Sequence, residues 1–212
     1  ALRMPPKYFW DIYHQLGFGD ATASGFPSEA NGALLDYANW KPFDQATLAF
    51  GYGLSVSALQ LARSYTALAD NGILHSVSLF KRSEDPETKR IFTSRTAKSV
   101  RAMMETVISK DGTAYEARVD GYSVAGKTGT VKKAGAGGYV EKSYFSVFAG
   151  MAPASNPRLI IVVMIDEPSA GQYYGGIVSA PVFSKVMSGA LRILEVAPDQ
   201  SDNMPVLLVG KN

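Results

Sequence analysis

The residues best suited to chemistry lie at positions 122–130, which read Tyr-Ser-Val-Ala-Gly-Lys-Thr-Gly-Thr. Tyrosine and valine alternate there with small residues, a pattern typical of a β-strand. An exposed edge strand can pair its main chain with an extended peptide, and Gly129 lets that backbone approach closely because it has no side chain. Lys127 adds a positive charge that can lower the pKa of a neighbouring hydroxyl. The segment therefore predicts a strand that binds an extended ligand.

Lysines are enriched in and just after this segment. Between positions 127 and 142, Lys127, Lys132, Lys133 and Lys142 are accompanied by a single acidic residue, Glu141. This local excess of positive charge favours an anionic ligand such as a carboxylate, and a solvated lysine-rich loop is the alternative interpretation.

A competing motif overlaps the first. Residues 121–128 fit the phosphate-binding loop pattern G-x-x-x-x-G-K-T, and residues 159–166 are an apolar run that ends in an aspartate, as a magnesium-binding strand does. A phosphate loop leaves a buried strand and enters a helix directly. Here residues 111–118 are not an apolar strand, and the glycines within residues 129–138 disfavour a following helix. An NTPase is therefore the disfavoured alternative.

The composition is that of an ordinary globular chain. Its 212 residues are 46% hydrophobic, which suffices for one domain with a sizeable core. With 21 basic and 19 acidic residues, the overall charge predicts neither a nucleic-acid nor a membrane partner. There is no cysteine, which excludes disulfides and thiol nucleophiles. The chain begins Ala-Leu-Arg, without an initiator methionine, and we expect it to be a piece of a longer protein.

Four helices are predicted from apolar residues that recur at helical spacing. The first opens with Pro5 and Pro6 and closes at Gly17, and the second runs from Ser57 to Asn71-Gly72. The third has Ser94 as its N-cap and reaches Ile108, and the last has Pro181 near its start and reaches Leu194. The buried stripe of the third helix includes Met103, and that of the fourth includes Val186 and Leu194. Residues 19–53 show no sustained period and are expected to be mostly connection.

Three adjacent strands are predicted between the third and the last helix. They cover residues 122–130, 144–151 and 158–165, with a loop at 132–142 and a glycine-rich loop at 168–176. The third strand is apolar along its length and is expected in the interior of the sheet. A short strand is also predicted at 76–82. This order of elements predicts an α+β fold, with a mostly antiparallel sheet flanked by helices.

Further motifs are spread along the chain. They are Phe-Gly-Tyr-Gly at 50–53, Gln-Leu-Ala at 60–62, Phe-Ala-Gly at 148–150, Ala-Pro-Ala at 152–154, Tyr-Tyr-Gly-Gly at 173–176 and Ser-Ala-Pro-Val-Phe at 179–183. Lys-Thr-Gly on a strand is a signature of serine β-lactamases and penicillin-binding proteins. With these motifs, the chain resembles the C-terminal part of the transpeptidase domain of a division-specific class B penicillin-binding protein. The resemblance implies a penicillin-binding/serine β-lactamase-like fold, with residues 1–197 in one domain and a polar tail at 198–212.

The resemblance also implies catalytic roles for Lys127, Thr128, Gly129 and Thr130. Thr128 would bind the terminal carboxylate of a D-alanyl-D-alanine stem peptide, or that of a β-lactam, and the Thr130 amide would be one of two oxyanion donors. In this family a Ser-x-x-Lys, whose serine is acylated, and a Ser-x-Asn come before the Lys-Thr-Gly in the chain.

Two literal matches to those missing elements are interpreted as chance. Ser78 and Lys81 fit Ser-x-x-Lys but lie in a predicted strand, where positions i and i+3 project to opposite faces. Residues 201–203 read Ser-Asp-Asn but follow the Lys-Thr-Gly. We therefore expect the nucleophilic serine and the Ser-x-Asn to precede Ala1.

Aromatic residues near the motif are candidates for binding the substrate. Tyr173, Tyr174 and Gly175 are expected to form a bent aromatic wall, or else a turn with two half-buried tyrosines. Tyr139 and Tyr144 are further candidates for the same wall.

Other polar residues offer no second site. His14 and His75 lack metal-ligand spacing, so neither a metal nor a cofactor is expected. The neighbours Asp166 and Glu167 point to opposite faces of an extended chain, which disfavours a paired acid–base role.

The function predicted from the resemblance is that of a peptidoglycan D,D-transpeptidase that cross-links stem peptides during septal wall synthesis and is acylated by β-lactams. It would be a periplasmic domain of an inner-membrane protein, anchored by a segment outside this chain, with division-machinery proteins as partners. A β-lactam-hydrolysing or β-lactam-sensing relative and a non-catalytic wall-binding module remain as alternatives.

Overall fold

The computed structural model describes residues 1–135 and 138–200. They form two compact units, residues 1–100 and a second unit that begins at Arg101. The α-helices are α1 (Pro6–Gln15), α2 (Pro42–Leu48), α3 (Ala58–Ala69), α4 (Ser94–Glu105), α5 (Gly175–Val178) and α6 (Ala180–Ile193). The strands are β1 (Ala33–Leu34), β2 (Leu54–Ser55), β3 (Ile73–His75), β4 (Thr88–Arg90), β5 (Ala125–Gly135), β6 (Gly138–Ala152) and β7 (Leu159–Asp166). None of the helices in the described ranges is long and apolar enough to cross a membrane.

The first two predicted helices are confirmed, and their caps explain where they begin. Helix α1 has Pro6 in its first turn, where the missing N–H of proline costs no hydrogen bond. Helix α3 is preceded by a capping box in which Ser57 Oγ accepts from the Gln60 N–H and the Gln60 side chain accepts from the Ser57 N–H. It ends before Asn71 and Gly72, which both have positive φ.

The segment between these helices is more ordered than predicted. Residues 19–53 contain α2, and β1 pairs with β2. The buried side chain of Gln60 organises part of this segment because its Nε2 donates to the carbonyls of Asp20, at 2.7 Å, and Asn31, at 2.8 Å. Long-range hydrogen bonds of this kind leave no periodic signal in the sequence.

The predicted strand at 76–82 is wrong. The strand in this region is β3, which ends at His75 and pairs with β4. Ser78 Oγ accepts from the Phe80 N–H and donates to the Phe80 carbonyl. Such local bonds give the backbone an alternative to a strand ladder.

The third predicted helix is confirmed as α4, with two corrections. Its cap is Thr93 rather than Ser94, because Thr93 Oγ1 accepts from the Thr96 N–H at 3.1 Å. Met103 is 62% exposed rather than buried. The helix tightens into a 3₁₀ turn at Thr106–Ile108, so the helical period used for the prediction does not hold to its end.

The second unit is built on one antiparallel sheet in the order β5-β6-β7. In its register Lys127 lies opposite Ala149, and Phe148 lies opposite Val163. The α+β fold with antiparallel strands and flanking helices is confirmed. The predicted loop at 132–142 is wrong, because β5 and β6 continue as a two-stranded ribbon with one irregular step between Lys132 and Ala134. The lysine-rich composition of residues 132–142 indicated a loop instead of this extension of the two strands.

Within the described residues, the third strand does not have neighbours on both sides, as an interior position requires. Strand β6 is central, and within residues 1–135 and 138–200 β7 pairs only with β6. Met164 on β7 is 55% exposed. A continuous apolar run indicates burial of both faces, but the lateral position of a strand depends on which partners its edges find.

The core of the second unit lies between the sheet and α6. Phe148 of β6 is fully buried and meets Phe183 of α6 edge-on, with ring centroids 4.8 Å apart. Phe183, Met187 and Leu191 form the buried stripe, as predicted. Val186 and Leu194 do not belong to it, since they are 50% and 57% exposed. The short helix α5, which begins at the end of the predicted glycine-rich loop and continues to Val178, was missed.

Candidate active site

Residues 127–130 lie near the start of β5, and β6 pairs with one edge of this segment. In the described part of the chain no strand pairs with the other edge of β5. That edge can therefore accept an extended peptide as another strand. The phosphate-loop interpretation is excluded, because Lys127 lies within a strand that continues to Gly135 instead of at the start of a helix.

The ring of Phe148 packs against the main chain of β5 just before Lys127. A Cβ atom added to Gly126 would lie 2.4 Å from the ring of Phe148. The glycine before Lys127 is therefore needed for close packing of the strand on this ring. Because Phe148 itself packs edge-on against Phe183, the main chain beside Lys127 rests on the close-packed core of this unit.

The Lys127 ammonium group is exposed and stays close to its neighbour. Its Nζ donates to the Thr128 carbonyl at 2.9 Å and lies 3.3 Å from Thr128 Oγ1. Lys127 forms no ion pair with any carboxylate of residues 1–135 and 138–200. Its positive charge is therefore available to an anionic ligand.

A second hydroxyl meets Thr128 from outside the motif. The Oγ1 atoms of Thr113 and Thr128 lie 3.2 Å apart. Thr113 was missed by sequence reasoning, which treated residues 111–118 only as evidence against a buried strand. No sequence signal identifies it, because the contact joins residues from separate segments.

Thr130 is linked to the start of α5. Its Oγ1 accepts from the Gly175 N–H at 3.1 Å. A Cβ atom on Gly175 would lie 2.2 Å from the Val147 carbonyl oxygen and 2.7 Å from that of Gly129. Gly175 therefore has a packing role, since it lets α5 sit directly on the sheet beside the motif.

Three of the predicted aromatic residues form a tyrosine stack (Tyr144, Tyr173 and Tyr174). The rings of Tyr144 and Tyr173 are parallel within 9° with centroids 4.1 Å apart, and those of Tyr173 and Tyr174 are 4.5 Å apart. The hydrogen bond shared between the hydroxyls of Tyr173 and Tyr174 raises the pKa of Tyr174. Tyr139 lies farther along the ribbon, opposite Ala134, and is 59% exposed.

One of the clustered lysines is already neutralised by a carboxylate clasp (Lys133, Asp166 and Glu167). Lys133 Nζ lies 2.9 Å from Asp166 Oδ1 and 2.8 Å from Glu167 Oε1. The hydrogen bonds to Glu167 and Asp166 raise the pKa of Lys133, and the bond to Glu167 has the larger effect. The bonds from Lys133 and then Ser143 lower the pKa of Glu167. Lys133 is thus not available to an anionic ligand as the lysine count suggested.

The remaining candidates stay apart from this arrangement. Ser78 is exposed and bonded to Phe80, and residues 201–203 lie outside the described residues. His75 Nε2 lies 2.6 Å from Asp70 Oδ2. In the part of the chain that the structure describes, no group of three or more His, Asp and Glu side chains could hold a metal ion.

Comparison with known sequences places this geometry in a family. The family model of the penicillin binding protein transpeptidase domain matches residues 1–188. The chain is 47% identical over 198 residues to the probable peptidoglycan D,D-transpeptidase PenA of Neisseria meningitidis serogroup B, covering 93% of this chain and 34% of that protein. It is 42% identical over 199 residues to the peptidoglycan D,D-transpeptidase FtsI of Escherichia coli K12, covering 94% and 34%. The chain thus spans about a third of the length of these curated relatives.

Solved structures give the same result. The transpeptidase domain of Burkholderia pseudomallei penicillin-binding protein 3 matches with a TM-score of 0.88 and 46% identity, over 95% of this chain and 60% of that one. Penicillin-binding protein 3 of Mycobacterium tuberculosis matches with a TM-score of 0.84 and 29% identity, over 92% and 48%. The chain, with Lys-Thr-Gly-Thr on a strand edge and tyrosines beside it, belongs to the penicillin-binding protein transpeptidase domain family.

Proposed function

We propose that this chain is the part of a peptidoglycan D,D-transpeptidase that binds the stem peptide and stabilises the reacting carbonyl. The observation that carries the proposal is the position of Lys127 in a chain of this family. Its exposed ammonium group has no ion-pair partner among the described residues and lies at the start of β5, beside Thr128. A cation and a hydroxyl on an accessible strand edge suit a peptide that ends in a carboxylate.

The proposed binding mode uses each residue of the motif differently. The stem peptide pairs with β5, and Gly129 allows its main chain to come close. Lys127 and Thr128 bind the terminal D-Ala carboxylate, or the carboxylate of a β-lactam. The Thr130 N–H is one oxyanion donor, a type of contact whose loss costs about 2.7–4 kcal/mol of transition-state stabilisation. Tyr144, Tyr173 and Tyr174 flank the ligand, with Gly175 fixing the last two, and Tyr139 lies farther out.

The proposed reaction proceeds through an acyl-enzyme. A serine in the part of the protein outside this chain attacks the carbonyl of the penultimate D-Ala, and the peptide C–N bond to the terminal D-Ala breaks. The serine hydroxyl proton passes to that nitrogen, and the terminal D-Ala leaves as a free amine. An amine from a neighbouring stem peptide then attacks the ester and regenerates the serine hydroxyl. The positive charge of Lys127 stabilises the anionic groups of the ligand in both steps. The same charge lowers the pKa of a hydroxyl close to it.

The wider setting follows the resemblance to division-specific members of the family. We propose residues 1–197 as the C-terminal part of one transpeptidase domain that lies in the periplasm, with its inner-membrane anchor in a segment outside this chain. Septal peptidoglycan is the proposed product and division proteins are the proposed partners. The match to the relative named FtsI supports this assignment.

Labelling with a fluorescent penicillin tests the proposal on the full-length protein that contains this chain. We expect the wild-type protein to be labelled, and Lys127→Ala to lower the labelling rate by at least about 100-fold, the low end of what a positioned acid–base group contributes. Lys142→Ala is the matched control, because it removes an exposed lysine of the ribbon that forms no ion pair among the described residues. Undiminished labelling of Lys127→Ala would contradict the proposal.

The same protein separates the alternatives. A wall-binding module would not be labelled at all. A β-lactam-hydrolysing relative would be labelled only transiently and would turn over a chromogenic cephalosporin rapidly. A transpeptidase is expected to keep its acyl group and to hydrolyse the cephalosporin slowly.

A further inference from the structure

Glu167 connects all three strands of the sheet at the point where β7 ends. Its carboxylate accepts from Lys133 Nζ of β5 at 2.8 Å and from Ser143 Oγ of β6 at 2.7 Å. Its main-chain N–H donates to the Tyr144 carbonyl at 2.9 Å. This last bond continues the β6–β7 ladder one residue beyond the pair Phe145 and Asp166.

The ribbon formed by β5 and β6 extends past the end of β7, so β7 does not pair with it there. Beyond Phe145, β6 is paired with β5 but no longer with β7. Lys133 crosses β6 to reach Asp166 and Glu167, and its Nζ lies 4.8 Å from the centre of the Phe145 ring. The carboxylate clasp therefore ties β5 to the end of β7 at the irregular step of the ribbon.

The loop that follows Glu167 returns to the same part of β6. Tyr173 stacks on Tyr144, and its carbonyl oxygen accepts a hydrogen bond from Ser146 Oγ. The loop thus leaves the sheet at Glu167, beside Ser143 and Tyr144, and returns to it at Tyr173, beside Tyr144 and Ser146. Next along the chain from the stack is Gly175, whose N–H donates to Thr130 Oγ1. The tyrosine stack is therefore held between the clasp on one side and residues 127–130 on the other.

The backbone of Glu167 shows that this start of the loop is constrained. Its φ is 49°, in the left-handed region that residues other than glycine seldom adopt. Such a conformation persists where surrounding bonds over-determine it. Here the N–H and the carboxylate of the residue are both bonded, to Tyr144, Ser143 and Lys133. Removing the partners of the carboxylate leaves the strained residue free to relax and to move the loop.

We propose that the carboxylate clasp positions the tyrosine stack beside residues 127–130, and so sets the affinity of this site for ligands that place an aromatic group against the stack. The inference rests on the proposed function, because it concerns ligands of the same site. Lys133, Asp166 and Glu167 are positioning residues, since they act through Tyr144 and the loop that carries Tyr173 and Tyr174. The clasp is a determinant of ligand selectivity and leaves the acylation step itself unchanged.

The test separates binding from acylation in the full-length protein. Rapid-mixing kinetics give the dissociation constant and the acylation rate constant for one penicillin with a phenyl-bearing side chain and one with a short aliphatic side chain. For Lys133→Met we expect a dissociation constant for the phenyl penicillin about two- to tenfold higher, the range that corresponds to one lost aromatic contact. The dissociation constant for the aliphatic penicillin and both acylation rate constants should stay within about twofold of wild type, which corresponds to about 0.4 kcal/mol.

Two variants act as controls for this measurement. Lys133→Arg keeps the positive charge and is expected to restore wild-type selectivity. Lys142→Met removes a lysine of the same ribbon outside the clasp and is expected to change nothing. Melting temperatures of all variants show whether they fold, and Glu167→Ala, which removes the acceptor of both hydrogen bonds, carries the same expectation as Lys133→Met should the latter unfold.

The possible failures are distinguishable. If the wild-type protein is not acylated by either penicillin, the proposed function is wrong and the inference is overturned with it. If the wild type is acylated while Lys133→Met and Glu167→Ala bind both penicillins as wild type does, or lose affinity for both equally, the inference is overturned and the proposed function stands. A fall in the acylation rate constant without a change in selectivity also overturns it.

Discussion

The side-chain oxygens of Thr113 and Thr128 lie 3.2 Å apart, so a residue far from the Lys-Thr-Gly in sequence meets its threonine. Thr113 also touches α5, since a Cβ atom on Gly176 would lie 1.9 Å from the Thr113 carbonyl oxygen. Thr113 therefore joins the strand that carries the motif to the short helix that follows the tyrosine stack. The two threonines have different expected functions, one in ligand binding and one in orientation.

Replacing Thr128 by valine is expected to slow acylation by a penicillin about 10- to 100-fold, because a hydrogen bond to a charged group contributes about 1.5–3 kcal/mol. Thr113→Val removes only the neighbouring hydroxyl and should slow acylation less than Thr128→Val. The second-order rate constant of labelling in the full-length protein measures both effects. An unchanged rate for Thr128→Val, or a larger loss for Thr113→Val, would show that these roles are wrongly assigned.

Gly175→Ala is expected to destabilise the protein by about 1–3 kcal/mol, as forced overpacking does. The added methyl would lie 2.2 Å from the Val147 carbonyl oxygen, so α5 must move off the sheet and away from Thr130. Gly189→Ala in α6 is the matched control, because a Cβ there meets nothing within 4 Å. It should stabilise the helix by up to about 1 kcal/mol. Thermal unfolding distinguishes the two, and equal melting temperatures would refute the packing argument.

Gln60→Met keeps the side-chain volume but removes the donors that hold the carbonyls of Asp20 and Asn31. Each hydrogen bond that is lost contributes about 0.5–1.5 kcal/mol, so we expect a clear loss of stability in the unit of residues 1–100. Gln172→Met, on an exposed loop residue, is the control and should change stability by less than about 0.5 kcal/mol. Hydrogen exchange of residues 19–53 gives the local readout. Exchange as slow as in wild type would contradict the role of Gln60.

Asp199 is expected to make stability depend on acid pH. Burial raises the pKa of Asp199, but bonds from Ser123 and Ser155 outweigh burial and lower the pKa below its ordinary value. Its contribution to stability is therefore present above the pKa of Asp199 in the unfolded chain and is lost as the pH falls through the lower pKa of the folded state.

Asp199→Asn should lower the melting temperature near neutral pH and reduce the fall in melting temperature between about pH 5 and pH 2. The difference should be below about 1 kcal/mol because the carboxylate is largely exposed. A pH profile identical to wild type would contradict this account.

The regular elements with strong periodicity were predictable from the sequence. Helices α1, α3, α4 and α6, the three strands of the sheet and the antiparallel α+β class all follow from hydrophobic spacing, caps and glycine. The position of Lys127 on a strand was likewise predictable, because small and branched residues alternate around it. Such features depend on neighbours within a few residues, which the sequence displays directly.

Boundaries and partners were not predictable in the same way. The ribbon beyond Lys132 and the clasp of Lys133 with Asp166 and Glu167 depend on contacts with residues distant in the sequence. The cap was misplaced by one residue because Thr93 and the adjacent Ser94 are both suitable capping residues. The edge position of β7 and the exposure of Val186 depend on which surfaces meet other elements. Hydrophobicity indicates that a residue can be buried, whereas packing decides whether it is.

For this protein the sequence by itself determined the family motif, the strand that carries it and the set of tyrosines available near it. Only the tertiary structure decided that Thr113 meets Thr128, that Gly175 binds Thr130 and that Tyr144 stacks on Tyr173. The physical reason is that motif chemistry is encoded in consecutive residues, while these contacts form between residues 15, 45 and 29 positions apart, where chain folding alone sets the distance.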